Sequence, residues 1–136
     1  MKKIIILIVF LFAVAGCARD AFENNVTLNI EPLEIIAIGE GETAFRLNIT
    51  DDKNNLTAWE ISTNETTVGA ALLGVAMIAG EETSIGLMVT MVNGVPSTFN
   101  VDGSWWAFYI DGEMAESGVC STEINTESLY AFVFTS

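Results

Sequence analysis

The sequence predicts an α+β domain: mostly antiparallel sheet with one helix, about residues 67–80, packed on one face. Three observations carry this. Apolar and polar residues alternate with period two in several short runs. A single stretch, opening at Thr67, changes to a helical period. Turn pairs rich in Gly, Asn and Asp separate the runs.

In chain order, Val26, Leu28 and Ile30 alternate with Thr27 and Asn29, and Leu33 to Ile38 form a mostly apolar run ending at Gly39. Phe45, Leu47 and Ile49 alternate with Arg46, Asn48 and Thr50. The cluster from Asp51 to Asn55 is turn chemistry, and Thr57, Trp59 and Ile61 resume the alternation, so the two runs read as a hairpin. Thr66 or Thr67 can cap the helix by offering its side-chain oxygen to a free amide. Val68, Leu72, Val75 and Ala79 then share one face, and the helix is expected to stop at Gly80. The internal Gly69 and Gly74 each cost about 1 kcal/mol relative to Ala, so the helix depends on packing against a sheet. Leu87 to Val92, the turn pair Asn93-Gly94, a loop with Pro96, an aromatic strand from Ser104 to Asp111, and a last strand from Leu129 to Thr135 follow. Asp111-Gly112 is a strong hairpin dipeptide.

The N-terminus sets the location. Lys2 and Lys3 precede an apolar core, Ile4 to Val14, and then Ala15-Gly16-Cys17. This resembles a bacterial lipoprotein signal, which implies that residues 1–16 are removed and Cys17 becomes a diacylated first residue. Acyl chains at about 0.8 kcal/mol per buried methylene then anchor the protein at the extracytoplasmic face of the cell membrane without a spanning helix. Residues 17–25 read as a tether and residues 26–136 as the folded domain. Cys120 is left without a partner. With no Lys, Arg or His beside it in the chain, it reads as a small buried hydrophobe rather than a catalytic thiolate.

Composition removes whole classes of function. The chain has 136 residues, 18 Asp and Glu against 5 Lys and Arg, and no His. Its net charge of −13 becomes −15 once Lys2 and Lys3 leave with the signal. Nucleic-acid binding requires basic residues to neutralise phosphates, and too few are present. Without His, neither a His-based triad nor a His-containing metal site can be built. The acidic pairs Asp51-Asp52 and Glu81-Glu82 sit in turn-like stretches and read as solvated loops, so the expectation is no enzyme, no catalytic residue and no metal site.

The segment from Asp102 to Glu113 contains two of the three tryptophans. Alternate side chains leave opposite faces of a strand. Trp106, Phe108 and Ile110 therefore share an apolar face suited to the core, and Trp105, Ala107 and Tyr109 share the other. Large rings with polar edges suit a surface that is dry on one side and wet on the other.

Thr67-Val68 opening an Ala/Leu helix, Val92-Asn93-Gly94-Val95, Asp102-Gly103-Ser104-Trp105-Trp106 and Tyr109-Ile110-Asp111-Gly112-Glu113 together resemble one small family. It is the domain of unknown function related to the C-terminal domain of transcobalamin and intrinsic factor. The resemblance covers roughly residues 56–136 and implies a β-grasp-like fold on a bacterial surface lipoprotein. It also implies a ligand: cobalamin or another corrinoid, contacted by Trp105, Tyr109, Met114 and Val119 through packing and hydrogen bonds, with no cobalt ligand among them. The resulting expectation is a non-enzymatic, lipid-anchored module that binds a small molecule. The alternative is a structural or adhesive module presenting a protein-binding face to a surface partner.

Overall fold

A computed structural model describes residues 34–136. The signal, the tether and the strand expected at Val26 to Ile30 lie outside the described residues. Strands β1 (Ile35–Gly39), β2 (Thr43–Thr50) and β3 (Leu56–Thr63) lead into helix α1 (Val68–Gly74). Strands β4 (Ile78–Thr83), β5 (Gly86–Val92) and β6 (Val95–Pro96) follow, then a one-turn helix α2 (Phe99–Asp102). Strands β7 (Trp105–Ile110) and β8 (Glu113–Met114), a 3₁₀ turn at Val119–Ser121 and strand β9 (Leu129–Thr135) complete the chain.

Two sheets result. The larger has the order β1-β3-β2-β9-β7-β8, and the smaller the order β4-β5-β6. The expected hairpin is present, with Phe45 opposite Ile61 and Leu47 opposite Trp59. Strand β9 lies parallel to β2 on one side and antiparallel to β7 on the other. Strand β1 also pairs in parallel, with β3. The sheets are thus mostly antiparallel but mixed, and strand content far outweighs helix.

One face of the larger sheet makes the core. Phe45, Leu47, Ile49, Ile61, Tyr130, Phe132 and Trp106 all point to it, and α1 adds Val68, Ala71 and Leu72. The Tyr130 ring meets Phe45 edge-on at 5.5 Å, and its hydroxyl donates to the Glu123 carbonyl while accepting from the Asn125 amide. A buried phenol needs such partners, because an unpaired polar group away from water is costly.

The helix is shorter than its sequence period suggests. Thr67 caps it as expected, its hydroxyl accepting from the Ala70 amide. It ends at Gly74, because Ala76 turns left-handed at φ 60°. The Met77 amide then bonds the Leu72 carbonyl and the Ala76 amide bonds Leu73, which is a Schellman closure. Val75 falls at the cap and Ala79 in β4, so the four-residue stripe breaks after Leu72.

Candidate functional site

Strand β7 enters from α2 through Gly103 and leaves through the Asp111-Gly112 turn. Both turn residues have positive φ, 52° and 87°, which is what a two-residue hairpin between twisted strands requires. The turn is tied down from the far side: Asp111 accepts from the Leu129 amide at 2.8 Å and from the Ser128 hydroxyl at 3.0 Å. Strand β8 reaches back only to Tyr109 and Ile110, and the Ala115 amide bonds the Phe108 carbonyl. From Trp105 to Ala107, β7 therefore has no strand partner on that side among the described residues, although Trp106 and Ala107 are buried.

The two tryptophans divide as the period-two rule requires. Trp106 is 5% exposed, packs edge-on against Phe134 at 5.3 Å and donates its indole N–H to the Val95 carbonyl at 3.0 Å. Trp105 is 38% exposed, and its indole N–H has no protein acceptor among the described residues. Trp59, the third indole, donates to Thr57.

Of the four ligand-contact candidates, Trp105 lines a groove, while Tyr109 and Met114 lie outside its lining. Trp105 and Tyr109 share the open face of the larger sheet, with Ala107 between them, and Met114 sits directly opposite Tyr109 in the register of β7 and β8. Val119 is a correction. It opens the 3₁₀ turn and is 3% exposed within the core, where no ligand reaches it. Cys120, next to it, is half-buried rather than fully covered. Burial, reinforced by the Glu82 carboxylate, pushes its thiol up from the ordinary value.

The groove lined by Trp105 has a volume of about 550 Å³ and lies between β5, α2 and the start of β7. Its apolar walls are Met88, Val89, Phe99 and the two tryptophans, and its rim is polar, with Glu81, Thr90, Ser97, Asn100 and Ser104. A largely apolar concavity with a few polar groups is the usual form of a small-molecule site. One hydrogen-bonded clasp holds the α2 wall. The Thr98 amide donates to the Ser104 hydroxyl at 2.8 Å, and Asp102 accepts from the Ser104 amide at 3.0 Å and the Thr98 hydroxyl at 3.1 Å. The Ser104 side chain and amide, followed by Thr98, hold the Asp102 carboxyl below its ordinary value.

Sequence reasoning missed Met88 and Phe99. Phe99, 65% exposed, was legible only as an isolated bulky apolar residue inside the polar run Ser97-Thr98-Phe99-Asn100. A smaller concavity of about 290 Å³ beside α1 is lined by Glu40, Ser62, Asn64 and Glu65 and holds no aromatic ring. Among the described residues, no three Cys, Asp or Glu side chains converge to hold a metal ion.

Residues 1–18 match the prokaryotic membrane lipoprotein lipid attachment site, and Cys17 lies inside that match. Residues 65–129 match the model for a domain of unknown function, DUF4430. The chain thus carries a prokaryotic lipoprotein attachment site, and its residues 65–129 are similar to the DUF4430 domain. It is exported and lipid-anchored at the outer face of the cell membrane. The whole groove falls inside the DUF4430 match. No curated protein matches the sequence. Among the solved structures that share the fold is a "putative metal binding protein" from Ruminococcus gnavus, at TM-score 0.66 and 17% identity, covering 70% of this chain and 98% of its own. Another is haptocorrin in complex with Cbi, at TM-score 0.52 and 16% identity, covering 69% of this chain and 25% of its own. The chain thus corresponds to about a quarter of haptocorrin's length.

Proposed function

We propose that this lipoprotein is a non-enzymatic surface module, attached through Cys17, that binds a corrinoid in the groove walled by Trp105, Phe99 and Met88. The observation that carries the reading is Trp105: a large ring on the wall of a concavity, with an indole N–H that no described residue satisfies. A corrinoid is a broad apolar plate fringed by amides. The rings offer the plate a surface, and the polar side chains of Thr90, Ser97 and Asn100 offer the amides hydrogen-bond partners. The shared fold with haptocorrin, solved with Cbi, supports this ligand class. At about 550 Å³ the groove encloses part of a macrocycle, so a second surface would tighten the complex.

A β-grasp is the finer fold reading. It is supported by the order hairpin, helix, then a last strand inserted parallel to the first hairpin strand. The alternative function, an adhesive module, draws support from the outer edge of β4, which has no strand partner among the described residues. The concave, polar-rimmed geometry favours the small ligand.

Equilibrium dialysis of the purified mature protein against dicyanocobinamide tests the reading. Retention at micromolar ligand is expected, weakened about tenfold or more by Trp105→Ala, as for a buried aromatic anchor. No retention at high micromolar ligand would remove the corrinoid.

A further inference from the structure

The groove has a sign as well as a shape. Glu81 is its one ionisable lining side chain, and it stands directly opposite Met88 across the β4–β5 hairpin, on the same wall. The described residues contain two cationic side chains, Arg46 and Lys53, and neither lines the groove. Arg46 faces Glu60 across β2 and β3, and Lys53 lies in the turn between those strands. Of the other acids near these elements, Glu82 follows Glu81 on β4 and helps raise the Cys120 thiol, and Asp102 on α2 is engaged by Thr98 and Ser104. The potential in the groove is therefore negative, on a chain whose net charge is −13. Its aromatic wall adds to this, since the face of an indole attracts a cation.

From these features we infer that the groove discriminates by charge: it takes an apolar ligand bearing positive charge and rejects carboxylate-bearing analogues of the same body. The inference rests on the groove reading above and assigns to Glu81 the role of charge selector. For a corrinoid, this favours the forms in which cobalt keeps water or hydroxide and the complex stays cationic. Forms neutralised by two cyanides, or fringed by acids instead of amides, bind less well.

The experiment is a set of tryptophan-quenching titrations of the mature protein with aquohydroxocobinamide (cationic), dicyanocobinamide (uncharged) and dicyanocobyrinic acid (anionic). Each is run at low and at high salt, with wild type and Glu81→Gln. Glu81 is exposed on a hairpin, so its replacement leaves the core untouched. The expected result is a cation preference of about fivefold over the uncharged form, the scale of one partly exposed ion pair. The anionic form should bind more weakly still, and both gaps should narrow in high salt and in Glu81→Gln. Equal binding of the three forms, or a preference that survives Glu81→Gln, would overturn the charge selection while leaving corrinoid binding intact. If no corrinoid binds but the cationic dye thioflavin T does so through Glu81, the charge selection stands and the corrinoid reading falls. If nothing binds, both fall.

Discussion

Trp105 and Trp106 are neighbours in the chain with opposite environments, because successive side chains of a strand leave opposite faces of the sheet. That division was legible in the sequence, since it needs only a strand and a period. The burial of Val119 was not, because a single 3₁₀ turn leaves no repeating pattern to read. At the same scale, Gly69 meets the Cys120 backbone so closely that an added Cβ would lie 2.5 Å from its Sγ and 2.7 Å from its Cα. Backbone cannot yield as a flexible side chain can. Gly69→Ala is therefore expected to destabilise by about 1–3 kcal/mol despite its better helix propensity, measured by urea unfolding. An unchanged midpoint would mean that the contact relaxes freely. The Cys120 thiol, pushed up by burial and then by Glu82, remains protonated at neutral pH. It should react with a disulfide reagent far more slowly in the folded protein than in urea.

Among the elements, the hairpins were the most legible and the end of α1 the least. A Schellman closure usually announces itself with Gly in the left-handed position, whereas this helix places Ala76 there. The apolar run through Ala79 consequently reads as uninterrupted helix. The same residue makes a prediction: an L side chain pays about 1–2 kcal/mol to sit left-handed, so Ala76→Gly should raise stability by roughly 0.5–1 kcal/mol after the added freedom of the unfolded chain is counted. A fall in the denaturation midpoint would contradict the cap. Helix α2 makes a prediction about acid. The folded-state value of Asp102 is depressed, so its contribution is complete above the ordinary carboxylate value and is lost as pH falls through the folded value. Trp105 fluorescence should change in acid as the α2 wall loosens, and Asp102→Ala should show the loosened signal already at neutral pH.

For the molecule as a whole, local pattern gave most strands but not β4, whose residues read as the end of a helix and an acidic turn, and it did not give the strand order. The parallel seams of β9 with β2 and of β1 with β3 join segments distant in sequence, and nothing local records them. The groove is non-local in the same way, since it forms only where the smaller sheet and α2 meet the start of β7. Trp105 could be named from its strand, but Met88 and Phe99 required the assembled fold. The three indole N–H groups now provide separate reporters: Trp59 is bonded to Thr57, Trp106 to Val95, and Trp105 to no described residue. Their resonances, followed by ¹⁵N NMR while cobinamide is added to the mature protein, test the groove most directly. The Trp105 signal is expected to move progressively to saturation while that of Trp59, outside the groove, stays in place. A stationary Trp105 signal, or a response confined to Trp59, would contradict binding in the groove.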